Sequence, residues 1–180
     1  MAKPTRRIVT IDDQNGKSLA IADGPSPDRR TDPARPGYIA ARMWVTAGSP
    51  PSIGGFRDAV LGPHTIEPPR HGTVCRIVTF PPDDSFKGKI GSAEVAVFFN
   101  AMGSPGASTY SPKAPHPYMQ KTRTLDFCLV LEGEITLVLD TEEVNLKAGD
   151  TVVQRGTNHA WSNRSNRDCV IAISSHDAVE

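Results

Sequence analysis

The sequence TLDFCLVLEGEITLVLD, from Thr124 to Asp140, places two apolar segments on either side of one glycine, Gly133. Both segments are rich in Val, Ile, Leu and Thr, a composition and length typical of β-strands. Glycine permits the positive φ that a tight turn between strands requires. The stretch therefore predicts two strands, Thr124–Leu131 and Glu134–Asp140, that pair as a hairpin through Glu132-Gly133-Glu134.

Short apolar segments of the same kind recur along the rest of the chain, separated by turns that hold many of its 15 glycines and 16 prolines. Such runs, bounded by Gly, Pro, Asp or Asn, are typical of a β-sandwich or barrel. We therefore expect an all-β fold. The other predicted strands are Arg6–Ile11, Ser18–Ala22, Ala41–Thr46, Val74–Phe80, Glu94–Phe99, Asp150–Gln154 and Cys169–Ser174.

Evidence for helices is weak, because the nearest candidate, Phe86–Val97, contains Gly88 and Gly91. Glycine disfavours a helix interior. Three stretches rich in Pro or Gly are expected to form loops or arms over the barrel. They are Asp23–Gly37, Gly48–Arg70 and Asn100–Pro117.

A second motif follows in LKAGDTVVQRGTNHAWSN, from Leu146 to Asn163, where Gly149, Gly156, His159 and Asn163 occur in order. Together with Asp126, seven residues before Gly133, this ordering resembles the cupin superfamily of RmlC-like jelly rolls. Within it, the chain is similar to small single-domain proteins of the cupin-2 type, whose biochemistry is largely unassigned. The resemblance implies a double-stranded β-helix, that is, a jelly-roll barrel with an N-terminal β-strand arm extension. We expect residues 1–105 to form strand arms and long Pro/Gly loops that pack on the barrel, and residues 106–180 to form its core.

The metal-binding positions of that family are mostly altered here. Cupins bind a divalent metal through two histidines and an acid of the first motif and a histidine of the second. The matching residues of this chain are Gln120, Thr122, Asp126 and His159. Of these, only His159 is the usual residue, and His116 lies four residues too early, in a predicted loop. One imidazole and one carboxylate do not hold Zn, Ni, Mn or Fe tightly. The resemblance thus implies either no cofactor or a weakly held divalent metal on Gln120, Asp126 and His159.

Alternation along the first strand predicts which side chains face the interior. If Asp126 points inward, Cys128 and Val130 do as well, and Phe127 and Leu129 point outward with Leu125 and Leu131. That outer face is strongly apolar, so we expect the N-terminal arm or a second subunit to cover it. Since cupin barrels commonly dimerise through such arms, a homodimer is the expected partner state.

The interior is predicted to be a mixed polar and apolar pocket for a small-molecule ligand. We assign His159 and Asp126 as catalytic candidates, and Tyr118, Gln120, Cys128 and Trp161 as substrate-binding candidates. Each has a structural alternative. His159 could simply bond Asn163 or a backbone carbonyl, Cys128 could be a small buried hydrophobe, and Trp161 could pack at the rim. An unpaired buried carboxylate is costly, so Asp126 needs a partner or a wet cavity.

Three functions remain open from these residues. In the first, an Asp–His acid–base pair makes the protein a lyase, dehydratase or isomerase for a small oxygenated metabolite. Oxygenation is disfavoured, because iron that activates dioxygen needs facial ligands that this motif lacks. In the second, the barrel binds a ligand without catalysis, as a sensor or carrier. In the third, the degenerate metal site still holds a labile metal.

Bulk composition excludes other classes of function. The 180 residues contain 20 Lys and Arg and 20 Asp and Glu, so the net charge is zero and we expect no nucleic-acid or membrane partner. Cys75, Cys128 and Cys169 are odd in number and lie in apolar segments, which indicates free thiols. With no apolar signal segment at the N-terminus, we expect a cytoplasmic protein. Motifs of serine hydrolases, P-loop proteins and dinucleotide-binding proteins are absent from the sequence.

Overall fold

The computed structural model describes residues 4–55 and 57–179, and nearly all of its regular structure is β-strand. One α-helix, α1 (Ser92–Ala101), lies between the fifth and sixth strands of that part of the chain. The strands are β1 (Arg6–Asp12), β2 (Ser18–Pro25), β3 (Arg29–Thr31), β4 (Ile39–Thr46), β5 (Thr73–Phe80), β6 (Thr124–Glu132), β7 (Glu134–Leu139), β8 (Glu143–Lys147), β9 (Thr151–Arg155), β10 (His159–Ser162) and β11 (Cys169–Asp177).

Two antiparallel sheets form the barrel. A six-stranded sheet has the order β3-β4-β5-β11-β6-β9, and a three-stranded sheet has the order β10-β7-β8. Their inner faces share one core, in which Val130 and Ile171 of the larger sheet pack with Leu137 and Trp161 of the smaller one. The remaining pair, β1 and β2, is a separate hairpin. The prediction of an all-β jelly roll with an N-terminal strand arm is therefore confirmed.

The larger sheet draws on both halves of the chain. Its strands β4 and β5 precede residue 106, and β5 pairs directly with β11 from Cys169↔Phe80 to His176↔Thr73. The segment preceding residue 106 thus supplies part of the barrel wall as well as the arm formed by β1 and β2. In the part of the chain that is described, no helix has the length and apolar character needed to cross a membrane.

The turn at Gly133 was predicted correctly, but the pairing across it was wrong. Gly133 has φ +79°, as the turn requires. However, β6 pairs with β11 and β9, whereas β7 pairs with β10 and β8. The chain therefore passes at Gly133 from one sheet to the other, because the edges of β6 are taken by β11 and β9, and those of β7 by β10 and β8.

A second correction concerns Glu94–Phe99, which was predicted as a strand and lies within α1. The Glu94 carboxylate accepts a hydrogen bond of 2.9 Å from the Gly91 backbone N–H and so caps the first turn. Val95, Phe98 and Phe99 are buried at helical spacing. The two glycines that weakened the helical prediction, Gly88 and Gly91, both precede the helix. Strands β3, β8 and β10 were not predicted.

Alternation along β6 follows the predicted faces. Asp126, Cys128 and Val130 are buried, whereas Phe127 is 50 % exposed and Leu129 is 38 % exposed. Leu131 on the same outer face is 42 % exposed. Within one chain this apolar face is therefore left open, so the N-terminal arm of the same chain is not its cover.

A buried histidine lies in the loop before β6. His116 is 7 % exposed, and its Nε2 lies 3.8 Å from Oδ2 of Asp83. Burial, helped by the positive charges of Arg35 and Arg164, lowers its pKa to about 4. The folded protein therefore holds His116 neutral across the whole range in which a free histidine takes up its proton.

Substitution of Gly133 should test the turn at which the chain passes from one sheet to the other. An added Cβ would lie 2.8 Å from the Asp168 carbonyl oxygen, whereas at Gly149, which has φ +95°, it would meet nothing within 4 Å. We expect Gly149→Ala to cost about 1–2 kcal/mol of unfolding free energy, from backbone strain alone. Gly133→Ala should cost about 1–3 kcal/mol more, from the added clash. Urea unfolding measures both, and equal losses would contradict the close approach.

His116 should make the protein sensitive to acid. Its pKa is lower in the folded protein than the ordinary 6.5, so the unfolded chain binds the proton first, and stability is lost as the pH falls from about 6.5 to about 4. The full loss is about 3 kcal/mol. Urea unfolding over this range should show a shallower decline for His116→Gln than for the wild type. The exposed His71, replaced by Asn, is the control, and a decline unchanged in His116→Gln would refute the assignment.

Candidate ligand site in the barrel

A cavity of about 50 Å³ lies between the two sheets, lined mainly by apolar and aromatic side chains. Tyr118, Gln120 and Trp161, which the sequence predicted as substrate-binding residues, all contribute to its wall. Two arginines, Arg35 and Arg76, also line it and were not predicted. A largely apolar space with a few converging polar groups has the character of a ligand site.

Gln120 of the cavity wall lies beside His159, whereas His159, Asp126 and Cys128 are not among the described residues that line the cavity. Their backbones form two hydrogen bonds, Gln120 N to His159 O at 2.8 Å and His159 N to Gln120 O at 2.9 Å. The side chains also meet, with 3.3 Å between Nε2 of Gln120 and Nε2 of His159. The motif spacing thus brings together two residues that are 39 positions apart in sequence.

Hydrogen bonding assigns the tautomer of His159. Its Nδ1 lies 2.9 Å from the Thr157 carbonyl oxygen, which can only accept, so Nδ1 carries the proton. Nε2 then has the lone pair and accepts from the Gln120 amide. Burial lowers the pKa of His159, partly offset by the Thr157 hydrogen bond and the charge of Asp126, so the ring is neutral at neutral pH. The Asn163 side chain bonds the carbonyls of Phe80 and Arg167 and is not its partner.

Asp126 shares the interior with His159 but forms no hydrogen bond with it among the described residues. Asp126 is 7 % exposed, and its Oδ1 has no hydrogen-bond partner among the described residues. Its charge nevertheless raises the pKa of His159, which places the carboxylate near the ring. The pair therefore interacts through space rather than through a direct hydrogen bond.

Cys128 is the next inward-facing residue of β6, and it is 4 % exposed. Burial, with the nearby charge of Asp126, raises the pKa of its thiol to about 12. The thiol therefore stays protonated at neutral pH, whereas the nucleophile would be the thiolate. This supports the interpretation of Cys128 as a small buried side chain.

Arg35 forms the centre of an aromatic cluster beside the cavity. Its guanidinium carbon lies 3.5 Å from the Tyr118 ring centroid, 4.2 Å from that of Tyr38 and 4.4 Å from that of Phe98. Its Nε donates to Asp32 at 2.7 Å. The Tyr118 hydroxyl donates to the same Asp32 oxygen at 2.9 Å. Tyr118 is thus fixed by structural partners while one face of its ring borders the site.

The two arginines differ in how far the sequence could have revealed them. Arg35 lies in Asp23–Gly37, which was expected to be a loop or arm, and its long-range partners leave no local pattern. Arg76 stands in VCRIVTF between Val74 and Val78 on the inward face of β5. The alternation argument that identified Asp126 applies equally to Arg76, so that signal was available.

Trp161 takes part in both the core and the cavity wall. It is 5 % exposed. Its ring centroid lies 6.0 Å from the ring centroid of His159 and 6.3 Å from that of Phe80. Both contacts are within the range of favourable aromatic pairs. Trp161 is therefore interior rather than a residue of an exposed rim.

The donor atoms do not fit a tightly held metal ion. Among the described residues, no group of three or more His, Cys, Asp and Glu side chains is placed to hold one. At the motif positions, Thr122 Oγ1 is 2.7 Å from Thr124 Oγ1, and His159 Nε2 faces an amide. Asp126 supplies the single carboxylate. Tight binding of Zn, Ni, Mn or Fe calls for more imidazole and carboxylate ligands than these.

Comparison with known proteins gives the family. Residues 105–175 match the Cupin_2 family model, described as "Cupin domain". The chain is 57% identical over 49 residues to "Phomopsin biosynthesis cluster protein C'" of Diaporthe leptostromiformis, covering 27% of this chain and 26% of that protein. It is 31% identical over 129 residues to "Cupin-domain-containing oxidoreductase virC" of Hypocrea virens, covering 69% of this chain and 50% of that protein.

Among solved structures, the cupin domain of Schizosaccharomyces pombe Cnp3 aligns with a TM-score of 0.44 and 10% identity, over 98% of this chain and 89% of that one. The chain spans from a quarter to a half of the length of the two curated relatives. The predicted resemblance is thus confirmed by the family model over residues 105–175, which form a cupin domain.

Proposed function

We propose that this cupin domain binds a small oxygenated metabolite in the barrel cavity and acts on it as a lyase, dehydratase or isomerase. The observation that carries the proposal is the neutral His159, whose Nε2 lone pair is directed at Gln120 of the cavity wall. The contact is long, at 3.3 Å, so a ligand hydroxyl or acidic C–H can compete with the amide for Nε2. His159 then serves as the general base.

Asp126 supports this role by stabilising the product of the proton transfer. Its negative charge favours the imidazolium form of His159, as the direction of its effect on the pKa indicates. The carboxylate keeps one oxygen, Oδ1, without a hydrogen-bond partner among the described residues. No step of this scheme needs a tightly held metal. Adding metals to the assay tests whether a weakly held metal contributes to turnover.

The relatives suggest where such a ligand comes from. One is named for the biosynthesis cluster of phomopsin, and another is named as an oxidoreductase. We propose that the ligand is an intermediate of a biosynthetic pathway. We do not extend the oxidoreductase activity to this chain, because its donor set does not suit a redox metal.

Non-catalytic binding is the second candidate function, and one observation favours it. Gln120 stands between His159 and the cavity and already occupies the lone pair of Nε2. If the bound ligand does not displace this amide, the barrel holds it unchanged, as a sensor or carrier would.

Replacement of His159 should separate binding from turnover. Small oxygenated acids are incubated with the protein, with chelator or with added Zn, Ni, Mn or Fe, and the products are analysed by mass spectrometry. We expect His159→Gln to lower kcat by about 10²- to 10⁴-fold while ligand-dependent thermal stabilisation persists. His176→Gln, on the outer side of β11, is the control.

The pH profile gives a further check on the same residue. Because the pKa of His159 is lowered, kcat/KM should fall only at a pH below the ordinary histidine value of 6.5. Unchanged turnover in His159→Gln refutes the general-base role. Ligands that bind but are always returned chemically unchanged establish the carrier function instead.

We also propose that the chain forms a homodimer in which the β1–β2 hairpin of each subunit covers the outer sheet face of the other. The hairpin carries its own exposed apolar residues, Ile8 at 53 % and Leu19 at 42 %. The same chain thus has two unpartnered apolar surfaces, which a two-fold axis can pair reciprocally.

Light scattering tests the dimer. Phe127→Lys in the outer face should shift the mass from dimer to monomer without loss of the circular dichroism spectrum. Val97→Lys on α1, where Val97 is 58 % exposed, is the matched control and should remain dimeric. A monomeric wild type at micromolar concentration would contradict the proposal.

A further inference from the structure

Two buried arginines of the cavity wall have N–H groups without an acceptor. Arg76 is 5 % exposed, and its Nη2 donates to Ser175 Oγ at 2.9 Å, but its Nε has no partner in the described chain. Arg35 is 3 % exposed, and its Nη2 likewise has none. A buried donor without an acceptor is costly, so each of these N–H groups is a candidate donor to a ligand in the cavity.

The two arginines also differ in their ion pairs. Arg35 is paired with Asp32, but Arg76 has no direct carboxylate partner among the described residues. Asp126 lies near enough that both it and Arg76 shift the pKa of Cys128, in opposite directions. Nevertheless Asp126 Oδ1 and Arg76 Nε are each left without a hydrogen bond. A carboxylate in the cavity would give Arg76 Nε a charge-assisted acceptor.

We propose that the cavity binds the carboxylate group of a small organic acid, whose oxygens accept hydrogen bonds from Arg76 Nε and Arg35 Nη2. This deepens the proposed function and rests on it, because it names the substrate class of the same cavity. A planar carboxylate with two oxygens suits guanidinium donors, and charge-assisted bonds of this kind are strong. The carbon part of the acid then packs against Phe98, Trp161 and Ile173 of the wall.

The free volume limits the size of the acid. One water molecule needs roughly 10–15 Å³ of such space, so about 50 Å³ accepts a group of about four or five heavy atoms. Acetate and glycolate have this size. A longer acid can place its carboxylate end here only if the side chains at the cavity wall move apart.

Titration calorimetry with matched acids and amides tests the proposal on the wild-type protein. Acetate and glycolate are compared with acetamide and glycolamide, which have almost the same shape without the charge, and with phosphate and chloride. We expect the acids to bind and to raise the Tm, and the amides to bind at least about tenfold more weakly.

Substitution of Arg76 then locates the site. Arg76→Gln should weaken acetate binding by about ten- to a hundredfold, whereas Arg76→Lys should retain part of the affinity. Arg7→Gln is the matched control, because Arg7 is also a buried arginine, 7 % exposed, but pairs with Asp58 outside the cavity. If Arg76→Gln does not fold, the comparison of acid with amide on the wild type still decides the proposal.

The outcomes are distinct. Equal binding of acids and amides, or equal acetate affinity in Arg76→Gln and the wild type, overturns the carboxylate assignment and leaves the proposed function in place. Phosphate or chloride bound as tightly as acetate would also overturn it, because the site would then be a general anion site. If the ligand that the protein binds or converts occupies a place outside the barrel, the proposed function fails as well.

Discussion

The guanidinium of Arg35, buried among three aromatic rings and bonded to Asp32, joins the two halves of the chain. Asp32 and Arg35 come from the segment before β4, Phe98 from α1, and Tyr118 from the segment that leads into β6. Loss of either ionic partner would leave the other charge buried and uncompensated, so the cluster forms as a whole. The position of Tyr118, and with it one wall of the cavity, depends on this contact.

Local alternation was predictable from the sequence because it depends on neighbouring residues only. Thus the inward Asp126 and outward Phe127 of β6 follow from a period of two. The partners of β6 could not be predicted from its own sequence, because β9 and β11 both lie beyond the next strand in the chain, whereas β7 pairs with the adjacent β8 as well as with β10. The valines and phenylalanines of α1 favour a strand. The segment is nevertheless helical, and the Glu94 carboxylate caps its first turn by accepting from the Gly91 backbone N–H.

The residues of the candidate site also differ in how far the sequence predicted them. The two motifs predicted that Gln120 and His159 lie in one pocket, and their side chains are 3.3 Å apart. Arg35 enters the site through the tertiary packing of a segment with no regular pattern, so the sequence gives no signal for it. The functional roles of His159, Asp126 and the cavity residues remain predictions for the experiments to test.

The burial of the cavity wall determines the environment of a bound ligand. All the lining residues except Gln120 are buried, and Phe98 and Met102 of α1 are among them. A ligand held among these side chains is therefore largely removed from water, and its hydrogen bonds to the two arginines are electrostatically stronger than the same bonds would be in solution.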